Sequence, residues 1–216
     1  MTQFFDLSHK VETGMTFFPG DPEPVIQPAK GALPPWKVTE LHIGSHTGTH
    51  IDASAHYFEE GRTIDRYAID RFVTSGISIT LDDLEPEQPI TDILLGGMEI
   101  QFTKGGAILL RTGWDKYWGQ ELYLHHPYLT TSAAERLVQA GAGLVGIDAL
   151  NVDSTIQGKD HVHQILLGSD ILIVENLRGL GQLHPGKSYQ CSFLPLLLTG
   201  LDGSPIRAVA WMDGED

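Results

Sequence analysis

The chain has one cysteine, Cys191, in 216 residues, so no intrachain disulfide can form. A reducing, cytoplasmic setting is the expectation. Cys191 lies in Tyr189-Gln190-Cys191-Ser192-Phe193 with no histidine beside it. It reads as a small buried apolar residue rather than a nucleophile. Basic residues are scarce too: 14 Lys and Arg stand against 28 Asp and Glu, a net charge of −14. That balance argues against a nucleic-acid partner, whose phosphates require cationic neutralisation. No run of about eighteen apolar residues occurs, so no membrane span is expected. The start, Met1-Thr2-Gln3-Phe4-Phe5-Asp6, lacks the basic segment and apolar stretch of a signal peptide. Repeats, low-complexity tracts and linkers are lacking as well. One domain over residues 1–216, with a large core, is the simplest organisation.

Histidine, by contrast, is concentrated. Four of the ten histidines, His42, His46, His50 and His56, fall in one short stretch with Asp52. Imidazole and carboxylate together suit Zn²⁺, Mn²⁺ or Fe²⁺. The spacing adds a constraint. In an extended strand the Cα atoms of His46 and His50 would lie about 13 Å apart, at roughly 3.3 Å per residue. Two such side chains could barely share an ion, so the segment must turn, and Gly44 and Gly48 permit it. Asp52 offers two oxygens, enough to bind one metal or bridge two. His56 reads as a third histidine ligand or a free base. His42 lies on the alternating run Val38–Ile43, which reads as a strand, and has a lesser claim to a direct role.

Short apolar or β-branched runs predict strands at Phe4–Leu7, Val38–Ile43, Gly76–Leu81, Ala107–Arg111, Leu144–Asp148, Ile171–Glu175 and Ile206–Trp211. The clearest helix runs from Ser132 to about Ala140, with Ser132 and Glu135 as a capping box and Gly141 as its stop. A second helix is expected over Asp160–Leu167, stopped by Gly168. A helix, a glycine turn and a strand can return Glu175 beside His163, adding two candidate ligands to the cluster. His161 has a weaker claim as a group behind them. His125 and His126, before Pro127, read as solvated, and Asp148 and Asp153 as structural. Six prolines between Pro19 and Pro35 mark an ordered loop that could serve as a lid. Short strands with few helices predict an α/β or α+β fold with a mixed sheet.

The run His46-Thr47-Gly48-Thr49-His50-Ile51-Asp52-Ala53-Ser54-Ala55-His56 resembles the H-x-G-T-H-x-D-x-P-x-H signature of the cyclase-like family of metal-dependent hydrolases. Ser54 stands where that signature has proline. Phe18-Pro19-Gly20-Asp21-Pro22, Arg111–Asp115, Gly146–Asp148, His163–Leu167, Ile173–Leu177 and Gly203–Ala210 are similar to further family segments. The resemblance implies a swivelling β/β/α-type α/β domain. By position it gives His46, His50 and Asp52 to a first divalent metal, Zn²⁺ or Mn²⁺. Asp52, His163 and Glu175 go to a second, with Glu175 touching both. It makes His56 the catalytic proton carrier. It puts Phe18 against the substrate, where the family commonly has tryptophan.

The reaction it implies is metal-assisted hydrolysis of an aryl formamide such as N-formylkynurenine, a small-molecule aromatic amide. Ring opening of a cyclic amide such as isatin is the runner-up, and a non-hydrolytic polyketide-cyclase-like metal protein the third reading. Phe17, Phe18, Trp36, Tyr57 and Phe58 are candidates for an apolar wall. A homodimer or homotetramer is the expected assembly.

Overall fold

The computed structural model describes residues 1–81, 83–96, 103–158 and 161–212. In chain order the strands are β1 (Gln3–Asp6), β2 (Val25–Pro28), β3 (Thr39–His42), β4 (His50–Asp52), β5 (Val73–Thr80), β6 (Pro89–Ile90) and β7 (Ala107–Arg111). They continue with β8 (Tyr128–Leu129), β9 (Leu144–Ile147), β10 (Leu172–Glu175), β11 (Ser188–Ser192), β12 (Gly203–Pro205) and β13 (Val209–Met212). The α-helices are α1 (Asp92–Gly96), α2 (Thr131–Ala140) and α3 (His161–Gly168).

Nine strands form one mixed sheet in the order β1-β13-β11-β5-β7-β9-β10-β4-β12. Its centre, β5 to β10, is parallel, and both flanks are antiparallel. The parallel strands are buried on both faces, which is why β7, β9 and β10 read as nearly continuous apolar runs. Alternate residues serve opposite cores. Ile108, Leu110, Val145, Ile147 and Ile173 pack with Leu137, Leu166 and Leu167 from α2 and α3. Leu109, Leu144, Leu172 and Val174 face the other way, with Ile51, Phe5, Tyr189, Phe193 and Cys191. Cys191 is fully buried, and burial pushes its thiol up to about 12. Among the described residues, no helix is long and apolar enough to cross a membrane.

The mixed-sheet α/β class is the one the sequence predicts, and all seven expected strands are present with ends shifted by a few residues. The capping box is not. Thr130, not Ser132, caps α2, accepting from the Ala133 amide at 3.3 Å. The Ser132 hydroxyl instead donates to Asp92 Oδ1 at 2.9 Å, a partner forty residues away. Gly141 closes α2 in the left-handed region as expected. The second helix runs through Gly168 rather than ending before it, and its expected first residue, Asp160, lies outside the described residues. The proline-rich segment carries β2, which pairs antiparallel with β3.

Candidate metal centre

Two pieces of chain build the site. The first is the turn and short strand from Ser45 to Asp52. The backbone turns at Ser45 and His46, and Gly48 takes a φ of 64°, which costs a side-chain-bearing residue strain. The chain then enters β4. In that strand His50 and Asp52 point to one face and Ile51, fully buried, to the other core. The second piece is α3 with β10. Register pairs Glu175 with His50 and Ile173 with Asp52, so the end of β10 stands beside the start of β4. His163 projects from the first turn of α3. The site thus lies at the carboxyl end of a parallel strand, the usual place for ligands in α/β sheets.

All six candidates from the histidine signature and its partner segment come together here. His50 Nδ1 donates to the Gly48 carbonyl at 2.8 Å, leaving Nε2 for the interior. That Nε2 is 3.3 Å from Asp52 Oδ1 and 3.5 Å from Glu175 Oε2. His163 Nε2 is 3.8 Å from Asp52 Oδ2 and 3.6 Å from Glu175 Oε1. Glu175 therefore faces both histidines, one with each oxygen. His46 Nδ1 lies 2.8 Å from Asp52 Oδ1. His56, 35% exposed, overlooks the cluster, its ring 4.0 Å from that of His46 and 5.6 Å from that of His163.

These residues fit divalent metals. Ligands at about 2.0–2.1 Å around a tetrahedral ion sit about 3.3 Å from one another, close to several of the spacings here. Asp52 Oδ2 is buried and accepts no hydrogen bond, an orphaned carboxylate oxygen that a cation satisfies. Among the described residues three triplets of donor atoms cluster tightly enough for an ion: His46-His50-Asp52 and Asp52-His163-Glu175, which share Asp52, and the more exposed His46-His56-Asp202. The electrostatics agree. Burial opposes charge on His46, yet Asp202 and Asp52 outweigh it and raise its pKa to about 9. Burial is likewise overcome at His163, raised to about 10 by Asp153 and Asp52, and at His50, raised well above its usual range by Asp52 and Glu175. Burial pulls Asp52 upward, but His50, His163 and His46 hold it well below the usual carboxylate range. The pocket draws positive charge.

Two carboxylates behind these histidines have no such role in the sequence reading. Asp153, read as structural, accepts from His163 Nδ1 at 2.8 Å and also from the Val162 and His163 amides, both at 3.0 Å. Asp202 accepts from His46 Nε2 at 2.8 Å.

A cavity of about 150 Å³ opens onto the cluster, walled by Phe17, Phe18 and Leu150. Phe18 also borders an adjoining opening with Tyr57. Trp36, 74% exposed, and Phe58 line neither the cavity nor the cluster's own wall. Other expectations fail locally. His161 is exposed and sits apart from the cluster, because α3 turns only one face inward. His126 is fully buried rather than solvated, its Nε2 2.8 Å from Thr155 Oγ1. His42 is exposed on β3. Ser54, in place of proline, anchors its loop by accepting from the Arg62 amide at 2.7 Å.

A family model described as putative cyclase matches residues 5–154. An uncharacterized protein of Methanocaldococcus jannaschii is 34% identical over 198 residues, 89% of this chain and 91% of its own. Kynurenine formamidase of Paracidovorax citrulli is 31% identical over 219 residues, 95% of this chain and 94% of its own. Among solved structures, isatin hydrolase A from Ralstonia solanacearum superimposes with a TM-score of 0.86 at 23% identity, over 98% of this chain and 92% of its own. At that identity the likeness is one of fold.

Proposed function

The chain belongs to the putative cyclase family, and from that premise we propose that it is a metal-dependent hydrolase cleaving the C–N bond of an aryl formamide, with N-formylkynurenine as the type substrate. Its relative in Paracidovorax citrulli bears the name kynurenine formamidase. The observation that carries the reading is the buried, unpartnered Asp52 Oδ2 set between two imidazole-bearing donor triplets. In this reading His46, His50 and Asp52 hold one Zn²⁺ or Mn²⁺ ion, and Asp52, His163 and Glu175 a second. Such ions, when bound, acidify water and polarise a carbonyl.

The chain's own residues supply the rest. Asp52 and Glu175 are buried, and a cation held by them would be the group that a substrate carbonyl oxygen approaches. Phe17 and Phe18 offer flat apolar surface in the same cavity that Glu175 lines. A cavity of this size takes up a benzene ring in other proteins, so one aryl ring fits the space. His56, on the cavity rim, reaches the departing nitrogen and carries a proton to it as general acid. An arylamine leaves more readily than an alkylamine because its nitrogen is less basic.

The fold likeness to isatin hydrolases supports a second reading, in which the same apparatus opens a cyclic amide such as isatin. Self-association as a dimer or tetramer belongs to the proposal. The test is elemental analysis of protein reloaded with Zn²⁺ or Mn²⁺, followed by turnover of N-formylkynurenine, isatin and simple esters. Formamide cleavage with bound metal is the expected result. Metal-free protein after reloading sinks the proposal, and isatin opening without formamide cleavage transfers it to the second reading.

A further inference from the structure

Asp202 precedes β12, the strand at the sheet edge beside β4. Register sets Gly203 opposite Asp52 and Pro205 opposite His50, so the Asp202 side chain is delivered to the ligand turn from across the ladder. Its backbone carbonyl is fixed by the Ala53 amide at 2.8 Å. One oxygen, Oδ2, accepts from two rings: His46 Nε2 at 2.8 Å and His56 Nδ1 at 3.2 Å. The next residue is shaped for the same ring. A Cβ on Gly203 would stand 2.8 Å from His46 Cε1 and 2.8 Å from the Ile51 carbonyl oxygen, so only glycine leaves His46 its place.

From this geometry we infer that Asp202 is the positioning residue of the site, a single carboxylate oxygen that aims both a metal ligand and the proton carrier. The inference rests on the metal-hydrolase reading. With Nε2–H of His46 held by Asp202, Nδ1 is the nitrogen turned to Asp52 and to a cation there. With Nδ1–H of His56 held by the same oxygen, Nε2 is the nitrogen turned away from Asp202 and free for the substrate. The two rings, 4.0 Å apart, are thereby fixed relative to one another. Removing the carboxylate takes the Asp202 contact from His56 and leaves His46 held only through Nδ1 at Asp52, while the backbone bond from Ala53 keeps the strand edge in place.

Asp202→Ala and Asp202→Asn form the test. Because both rings use one oxygen, an amide oxygen in that position serves both, and asparagine rescues. Metal-free protein is read first, by the downfield Nε2–H proton signal of His46 in NMR, the proton that faces Asp202. It is present in wild type and Asp202→Asn and lost in Asp202→Ala. Mn²⁺ affinity by chelator competition then falls about 10–100-fold in Asp202→Ala and stays within about threefold of wild type in Asp202→Asn. In the loaded enzyme, kcat on N-formylkynurenine falls at least about tenfold in Asp202→Ala while KM stays nearly constant.

Wild-type values of both affinity and kcat in Asp202→Ala overturn the inference. So does an Asn variant as impaired as the Ala variant, since charge rather than placement would then be acting. Wild-type protein that takes up no Mn²⁺ ends the metal-hydrolase reading instead. The NMR signal of metal-free protein then decides Asp202 alone: its loss in the Ala variant supports the inference, and its survival there overturns it.

Discussion

Replacing Asp153 by alanine is expected to perturb both metal binding and stability through one side chain, and the two effects can be sized separately. Asp153 is 5% exposed and accepts three bonds, from the Val162 amide, the His163 amide and His163 Nδ1. Each such bond contributes about 1 kcal/mol net, and more where the acceptor is charged. Its negative charge also sits at the start of α3, worth about 0.3–1 kcal/mol against the helix dipole. Asp153→Ala therefore costs about 3–4 kcal/mol of stability. At about 2–4 °C per kcal/mol for a chain of this size, Tm in EDTA drops roughly 6–16 °C.

The metal effect comes on top. His163 loses the partner that fixes its ring, and such losses weaken binding about 10–100-fold, or about 1.4–2.8 kcal/mol. The stabilisation that saturating metal gives the folded state shrinks by the same amount. Thermal unfolding with EDTA and with Mn²⁺ at fixed concentration, alongside chelator competition at 25 °C, reads both numbers. A variant that loses the stability but binds Mn²⁺ like wild type refutes the reasoning, because His163 would then be no ligand.

His56→Ala is expected to keep its metal while kcat falls about 10²–10⁴-fold; loss of metal with residual turnover on reloading would make His56 a ligand instead. In metal-free protein, His46 and His163 have pKa values raised from 6.5 to about 9 and about 10. Their contribution to stability is complete below pH 6.5 and is lost as pH rises through that window. Tm in EDTA should therefore fall from pH 6.5 to 10 while Mn²⁺ affinity rises, since ligation must expel those protons; parallel movement of the two curves would contradict the assignment. Turnover should favour the aryl formamide, with kcat/KM for N-formylkynurenine at least roughly two powers of ten above an N-formyl alkylamine, equivalent to about 2.7 kcal/mol. Phe18→Ala should narrow that gap through KM, and equal rates on both compounds would remove Phe18 and the leaving group from the account.

The site was legible in sequence where its chemistry is local. His46, His50, Asp52 and His56 fall within eleven residues, and the need for a turn follows from strand length alone. His163 and Glu175 needed a helix, a glycine turn and a strand, each visible in the pattern. Asp202 was missed because its partners, His46 and His56, lie some 150 positions earlier. The family-like segment Gly203–Ala210 begins one residue after it. β4 escaped notice because three residues flanked by a glycine turn show no periodicity. Ser132 and His126 depart from the sequence expectation for a shared reason: Asp92 and Thr155 supply bonds that no local rule contains.

The strand that carries His50 and Asp52 has an awkward place in the order of synthesis. β4 pairs with β10 and β12 and with no other described strand, and those partners begin at Leu172 and end at Pro205. As the chain leaves the ribosome, His50 and Asp52 emerge early and have nothing to lie against until most of the protein has followed. Long-range pairing of this kind is slow, because the loop must close before any contact rewards it. A nascent chain stopped short of β10 therefore carries His50 and Asp52 without Glu175 opposite them, and its apolar Ile51 has no partner strand to lie beside.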